Sequence, residues 1–265
     1  MFPGFFLFDK YISSYVITSL VGIFTACPLA IYRYKKRGGN DISMIFVFLF
    51  GGIGCMVGMH LLYGITNIQQ WGRLFAAPDL GEWWDAAQTI FGGAVFYGGL
   101  IGGLAAGFLS IRYQKLDPSE VSDCAAPSIA LFHMFGRIGC FLGGCCYGVE
   151  WEHGITFTDS LIAGANGVPR VPVQLYEAGF ELALFLLLSL LFVRGKLKGK
   201  LLAVYLLVYP VGRFILEFWR GDDYRGFLFG LSTSQLISIA LFAGTIVFLT
   251  VSAVKKRRTP MTISE

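Results

Sequence analysis

Seven apolar stretches, at about residues 13–32, 42–64, 89–111, 121–141, 173–193, 201–218 and 232–253, decide what this 265-residue chain can become. Each is close to the roughly 20 residues that a helix needs to cross the hydrocarbon of a bilayer. In that medium a backbone must close its own hydrogen bonds, and a helix does so within one segment. The chain is 55% hydrophobic and only 14% charged, a balance that excludes a soluble domain of this size. These features predict an all-α integral membrane protein with seven transmembrane helices, folded as a single membrane-embedded domain over residues 1–265. The opening MFPGFFLFDKYISSY has neither the basic region nor the small-residue cleavage site of a signal peptide, so the first span is expected to be retained.

Basic residues set the orientation. Arg33, Lys35, Lys36 and Arg37, then Arg112 and Lys115, then Arg194, Lys196, Lys198 and Lys200, then Lys255, Lys256, Arg257 and Arg258, all follow odd-numbered spans. Cytoplasmic loops are the ones enriched in Lys and Arg, so the N-terminus is expected outside and the C-terminus in the cytoplasm. The opposite loops, 65–88 and 142–172, are long and rich in Trp, Gly and Pro, as lids or docking surfaces over a membrane would be. Trp71, Trp83, Trp84 and Trp151 suit the interface. The last residues, TPMTISE, are expected to be a disordered tail.

Polar residues inside such spans are costly and mark function. The stretch HMFGRIGCFLGGCCYG, His133 to Gly148, sets Arg137 at the end of an apolar run among glycines that let a backbone or ligand come close. His133 and Arg137 are four apart, hence on one helical face. Gln174, Glu177 and Glu181 form a second stripe, and Arg213, Glu217 and Arg220 a third. Stripes of both signs imply ion pairs turned inward, with Arg137 and Arg220 at one outer level. Two guanidiniums fit a phosphate by bidentate contact, so the expected ligand is a phospholipid headgroup.

The glycines of spans two and three recur at four-residue spacing: Gly54 and Gly58, then Gly99, Gly103 and Gly107. That pattern predicts close helix packing. Tyr97, before Gly98 and Gly99, is placed to point its hydroxyl into the space they vacate. Of six cysteines, only Cys140, Cys145 and Cys146 cluster. They lack a second ligand group at zinc-finger spacing, so no metal is expected and they read as small buried hydrophobes, a disulfide among them being the other reading.

GRIGCFLGGCCYG resembles the signature GRIGNFxNGExxG of bacterial phosphatidylglycerol–prolipoprotein diacylglyceryl transferases. RVPVQLYE at 170–177 is similar to that family's RxPxQLYE, GRFILEFWRGDD at 212–223 to its RFxxExxRxxD, and YGGLIG at 97–102 to its HGGLIG. The resemblance covers essentially the whole chain. It implies an enzyme of the bacterial cytoplasmic membrane, with its active site toward the extracytoplasmic side. Such an enzyme moves a diacylglyceryl group from phosphatidylglycerol to the lipobox Cys thiol of a prolipoprotein and releases glycerol phosphate. No cofactor is implied, and the partners would be phosphatidylglycerol, the lipobox segment and membrane lipids, with no nucleic acid. By position, Arg137 and Arg220 would hold the phosphate. Gly98, Gly99, Cys140, Gly144, Gly148, Gln174, Tyr176, Glu177 and Glu217 would line the substrate site. Tyr97 stands where the family has His, Cys140 and Gly143 where it has Asn, and Cys145 where it has Glu. A tyrosine hydroxyl is a poor base at neutral pH, so either His133 takes the thiol proton or the chain serves another acceptor. A non-catalytic phospholipid-binding or transport protein is the reading from a different class, and the chain shows no repeated halves to favour transport.

Overall fold

A computed structural model of the protein describes residues 2–160, 162–222 and 226–258. The TPMTISE tail and Asp223, Tyr224 and Arg225 lie outside the described residues, as do the side chains of Phe96 and of residues 255–258. Six helices are long and apolar enough to cross a membrane: α1 (Ser14–Lys36), α2 (Asp41–Thr66), α6 (Pro118–Gly143), α7 (Val173–Val193), α8 with its 3-10 extension (Leu201–Trp219) and α9, over Thr233–Val254. The apolar windows of α2 and α9 are only 11% buried within the protein. Side chains such as Met56, Leu61, Val247 and Phe248, all more than half exposed, make continuous apolar surface that needs a lipid medium.

The expected third span is interrupted. After the short helix α3 (Gly72–Ala76), α4 (Leu80–Phe91) stops inside it, and α5 (Phe96–Tyr113) starts after four intervening residues. Gly92 and Gly93 begin the break, and the backbone carbonyls freed there are taken up locally. His60 Nδ1 lies 2.8 Å from both the Phe91 and Gly93 carbonyl oxygens, and the Val95 N–H donates to the Met59 carbonyl at 3.1 Å. What remains, α5, is 18 residues long, about 27 Å at 1.5 Å per residue. Loop 65–88 is itself partly helical: Asp79 caps α4 by accepting from the Glu82 N–H at 2.9 Å.

The described chain divides into two compact units, residues 1–30 with 122–265, and residues 31–121. In the second unit α2 lies against α5 through bare backbone. A β-carbon at Gly58 would sit 2.2 Å from the Gly98 carbonyl oxygen, and one at Gly98 2.2 Å from the Gly58 oxygen. No side chain fits there; the close packing is the one expected, but on α5 it is Gly98 and Gly102, rather than Gly99, Gly103 and Gly107, that meet the α2 backbone most closely.

In the first unit the hairpin β1 (Gly4–Leu7) and β2 (Lys10–Ser13) leads into α1, and α6, α7, α8 and α9 make the helical body. At one end Asp123 of α6 accepts from the backbone N–H groups of Gly199 and Leu201, at 2.5 and 2.9 Å, and so caps the start of α8. At the opposite end the chain leaves α6 through a left-handed turn at Gly144 and Cys146, with φ of 74° and 61°. It then forms β3 (Glu150–Thr156), which pairs antiparallel with β4 (Pro169–Arg170) before entering α7.

Candidate active site

The polar stripes converge at the end of the helices away from Asp123. Arg137 is six residues before the end of α6, Glu177 four after the start of α7, and Arg213 three before the end of α8. Alternating helix direction therefore brings all three to one level. Glu177, with 1% of its side chain exposed, is the hub: Arg137 Nη2 is 3.0 Å from its Oε1, and Arg213 Nε and His133 Nε2 are each 3.9 Å from the same oxygen. One turn along α7, Glu181 is fully buried, and its Oε1 lies 2.6 Å from His133 Nδ1 and 3.4 Å from the Tyr205 hydroxyl that donates to it. Arg213 also pairs with Glu217 one turn on and donates to Ser234 of α9 at 3.1 Å. Ser232 donates to Glu217 at 2.7 Å. Each carboxylate is thus paired with cations or hydroxyls, Glu177 and Glu181 with groups from α6 and α8 and Glu217 with Arg213 and Ser232, which is what keeps buried charges tolerable.

Arg220 sits just past the 3-10 turn Glu217–Trp219 and grips Asp222 with both prongs, Nε to Oδ1 at 2.9 Å and Nη2 to Oδ2 at 2.7 Å. Both side chains are 4% exposed. Burial works against its charge, and the hydrogen bonds to Asp222 overcome that. The loop from α6 is stitched to this turn. The Val149 N–H donates to the Trp219 carbonyl at 2.9 Å, and the Gly221 N–H to that of Tyr147 at 3.0 Å. Gly148 lies in the seam, where a β-carbon would come within 2.3 Å of the Val171 carbonyl oxygen. Gln174 donates to the Cys145 carbonyl at 2.8 Å and ties α7 to the same loop.

Two observations bear on chemistry. The Arg137 Nε–H and Arg213 Nη1 are buried without a hydrogen-bond partner among the described residues, although each guanidinium is anchored elsewhere. The site therefore offers donors that are held in place and not used up within the protein. The sulfurs of Cys140, Cys145 and Cys146 lie within 4.8 Å of one another. Cys146 is held well below the ordinary thiol range by thiol hydrogen bonds from Cys140 and Cys145, and further by the charges of Arg220 and Arg137.

Arg137, His133, Gln174, Glu177, Glu217, Arg220, Cys140, Gly144 and Gly148 therefore all belong to the first unit, and its described contacts link most of them. Tyr176 is 47% exposed on the first turn of α7. Tyr97, Gly98 and Gly99 belong to the other unit. There Gly98 and Gly99 are occupied in contact with α2, and Tyr97 is 43% exposed at the start of α5. Sequence reasoning did not single out Tyr205 and Tyr209. Their rings stack at 5.4 Å, and Tyr209 packs 5.0 Å from the His133 ring. The signal was present, since Tyr205, Tyr209, Arg213 and Glu217 recur every fourth residue on one helical face. Asp222 was likewise missed as the partner of Arg220.

A family model described as prolipoprotein diacylglyceryl transferase matches residues 4–251. The chain is similar to phosphatidylglycerol–prolipoprotein diacylglyceryl transferase 2 of Clostridium perfringens, at 35% identity over 95% of each chain. It is 36% identical to the phosphatidylglycerol–prolipoprotein diacylglyceryl transferase of Clostridium tetani over 92% of this chain and 95% of that one. With the enzyme of that name from a Caulobacter species the identity is 33%, over 88% of this chain and 83% of the relative. A match running through both units, on helices whose charged stripes meet at one level, shows that this chain belongs to the prolipoprotein diacylglyceryl transferase family.

Proposed function

We propose that this protein is a membrane enzyme that transfers the diacylglyceryl group of phosphatidylglycerol to the lipobox cysteine of a prolipoprotein, releasing glycerol phosphate. The observation that carries the reading is Arg137, whose guanidinium is anchored on Glu177 while its Nε–H stays buried and without a hydrogen-bond partner among the described residues. As the acceptor sulfur attacks the glyceryl carbon, the C–O bond to phosphate breaks and charge grows on the leaving phosphate. Donors fixed in advance at that oxygen lower the barrier. Arg137 and Arg220 bind and stabilise the phosphate, while Gln174, Tyr176, Glu177 and Glu217 shape the site with Gly98, Gly99, Cys140, Gly144 and Gly148.

The acceptor thiol, with an ordinary pKa of about 8.5, must lose its proton. His133 takes it. Its Nδ1 is held at 2.6 Å by buried Glu181, which fixes the tautomer and leaves Nε2 as the base. Tyr97 stands where the family has His, and its hydroxyl is a hydrogen-bond donor rather than a base.

The chain works as one transferase domain over residues 1–265, with α5 as a seventh span beside the six long apolar helices. The N-terminus is outside and the basic segments, including 194–200, are cytoplasmic. The site, at the end of the bundle opposite that segment, then faces the extracytoplasmic side of a bacterial cytoplasmic membrane.

The test is transfer by the purified protein from phosphatidylglycerol vesicles to a synthetic lipobox peptide. Expected are release of glycerol phosphate and a thioether-linked diacylglyceryl group on the peptide cysteine. Bound phosphatidylglycerol with no transfer to any lipobox peptide would instead indicate another acceptor. Failure to bind the lipid at all would refute the site.

A further inference from the structure

The proposed transfer uses Cys140 only to shape the site and makes no use of the sulfurs of Cys140, Cys145 and Cys146, yet the fold goes to some length to gather them. Cys140 lies on the last turn of α6, and the other two follow the helix end. Two left-handed residues in three, Gly144 and Cys146, fold the chain back so that all three sulfurs fall within 4.8 Å of one another. For a residue with a β-carbon that conformation is uncommon and carries a cost. The turn is also pinned from outside: the Cys145 N–H donates to the Cys140 carbonyl at 3.1 Å, Gln174 holds the Cys145 carbonyl, and the Ser160 hydroxyl donates to the Gly144 carbonyl at 3.1 Å.

We propose that Cys140, Cys145 and Cys146 are a three-thiolate site for a thiophilic metal ion, zinc in the first instance, with a fourth position open beside Arg137 and Arg220. Zinc bonds thiolate sulfur at about 2.3 Å, which puts sulfurs of a tetrahedral site about 3.8 Å apart. A set already within 4.8 Å needs only a small closure. Three thiolates around a divalent cation carry one net negative charge. Arg137 stands three residues before Cys140 on α6, and Arg220 lies on the turn that is hydrogen-bonded to Tyr147 and Val149, so two guanidiniums stand near the cluster to balance it. A disulfide between the adjacent Cys145 and Cys146 suits the geometry less well, and a bridge from Cys140 to either is the outcome that the alkylation below separates from a metal site. Cys145 and Cys146 are consecutive, so their α-carbons are about 3.8 Å apart across a trans peptide, below the usual range of about 4.4–6.8 Å. Catalytic zinc sites characteristically have three protein ligands and one open position.

The role of the metal rests on the proposed transfer reaction. There the acceptor thiol takes the fourth position and is deprotonated on binding, as coordinated thiols are. Its proton goes to His133. The bound sulfur then attacks the glyceryl carbon, the carbon–oxygen bond to phosphate breaks, and the leaving glycerol phosphate takes up the proton. The neutral thioether is a weaker ligand than a thiolate and departs, which returns the site to its starting state.

The experiment uses the full-length protein in detergent, dialysed against zinc and then freed of excess. Bound zinc is measured by elemental analysis, and free thiols by alkylation without reductant. About one zinc per chain is expected, with the three clustered cysteines protected by the metal and alkylated once it is chelated. C140S, C145S and C146S should each lose the metal. Cadmium added to the apoprotein should give a sulfur-to-metal charge-transfer band that C146S lacks, a readout that does not depend on activity. Absence of retained metal in the unsubstituted protein, retention undiminished in all three variants, or a pair of cluster cysteines refractory to alkylation before metal is added would overturn the site, even if transfer to the lipobox peptide proceeds. Transfer that continues at the same rate after complete chelation would overturn the thiol-activating role. Zinc bound as expected in a protein that transfers nothing would refute the transferase reading and leave the site standing.

Discussion

Replacing Arg137 by Lys separates charge from geometry. The arginine holds Glu177 at 3.0 Å and is 16% exposed, while Glu177 is 1% exposed. Arg137→Ala strands that carboxylate, and breaking a buried pair costs about 3–5 kcal/mol. The lower end applies here, because Arg213 Nε remains 3.9 Å away. Arg137→Lys keeps a cation for Glu177 and so should lose little stability. An ammonium can hold the carboxylate or reach a phosphate oxygen, but it has no second fixed N–H to present alongside. Loss of one preorganised donor costs about 100- to 1000-fold in rate. Both variants should therefore fall by about 100-fold or more in transfer to a lipobox peptide, and only the alanine variant should unfold at clearly lower temperature. Arg137→Lys with more than about a tenth of the original kcat/KM, at equal amounts of folded protein, would refute the two-pronged role.

Substitutions at four other positions, Asp222, Gly58, His133 and Tyr97, give further tests. Asp222→Ala leaves the guanidinium of Arg220 buried without its clasp and should cost about 3–5 kcal/mol of stability, with Asp222→Asn milder; thermal unfolding that does not move in either variant would sink the pairing. Gly58→Ala puts a β-carbon 2.2 Å from a backbone oxygen of α5 and should cost about 1–3 kcal/mol by overpacking, read as a lower Tm. His133→Gln should abolish transfer while phosphatidylglycerol binding persists, with Tyr97→Phe the milder change; the reverse order of effects would move the proton-handling role to the tyrosine hydroxyl.

Much of this architecture is legible as hydropathy, because a bilayer imposes a length on each apolar run. Six runs coincide with long helices, while the run at 89–111 does not behave as one unit. Ile90 and Phe91 read as its continuation, yet α4 ends there and the backbone turns before α5. What makes that break tolerable is His60, which is some thirty residues away in sequence and invisible to any local pattern. The charged site is legible where it is periodic. Glu177 and Glu181, or Arg213 and Glu217, announce a shared helical face by spacing alone. Tyr205 and Tyr209 carry the same spacing but do not stand out from the apolar run, because nothing local says that a tyrosine hydroxyl will meet a buried carboxylate. The convergence of three sulfurs depends on two left-handed residues, and only the glycine among them signals that conformation in the sequence.

The balance of charge in the site gives the proposed reaction a direction. Among the described residues, Arg137, Arg213 and Arg220 face Glu177, Glu181, Glu217 and Asp222, three cations against four carboxylates, with His133 as the group able to change the count. With His133 neutral the cluster has no surplus positive charge, so a phosphodiester monoanion competes with carboxylates that already occupy the arginines. Such a site binds its lipid weakly in the ground state. When the acceptor thiol yields its proton to His133, the cluster gains one positive charge as negative charge accumulates on the leaving phosphate. Only interactions that strengthen toward the transition state accelerate the chemical step. Carboxylates that hold the arginines in place without adding net attraction for the substrate are consistent with that requirement, and the return of the proton to glycerol phosphate restores the weak-binding state from which product departs.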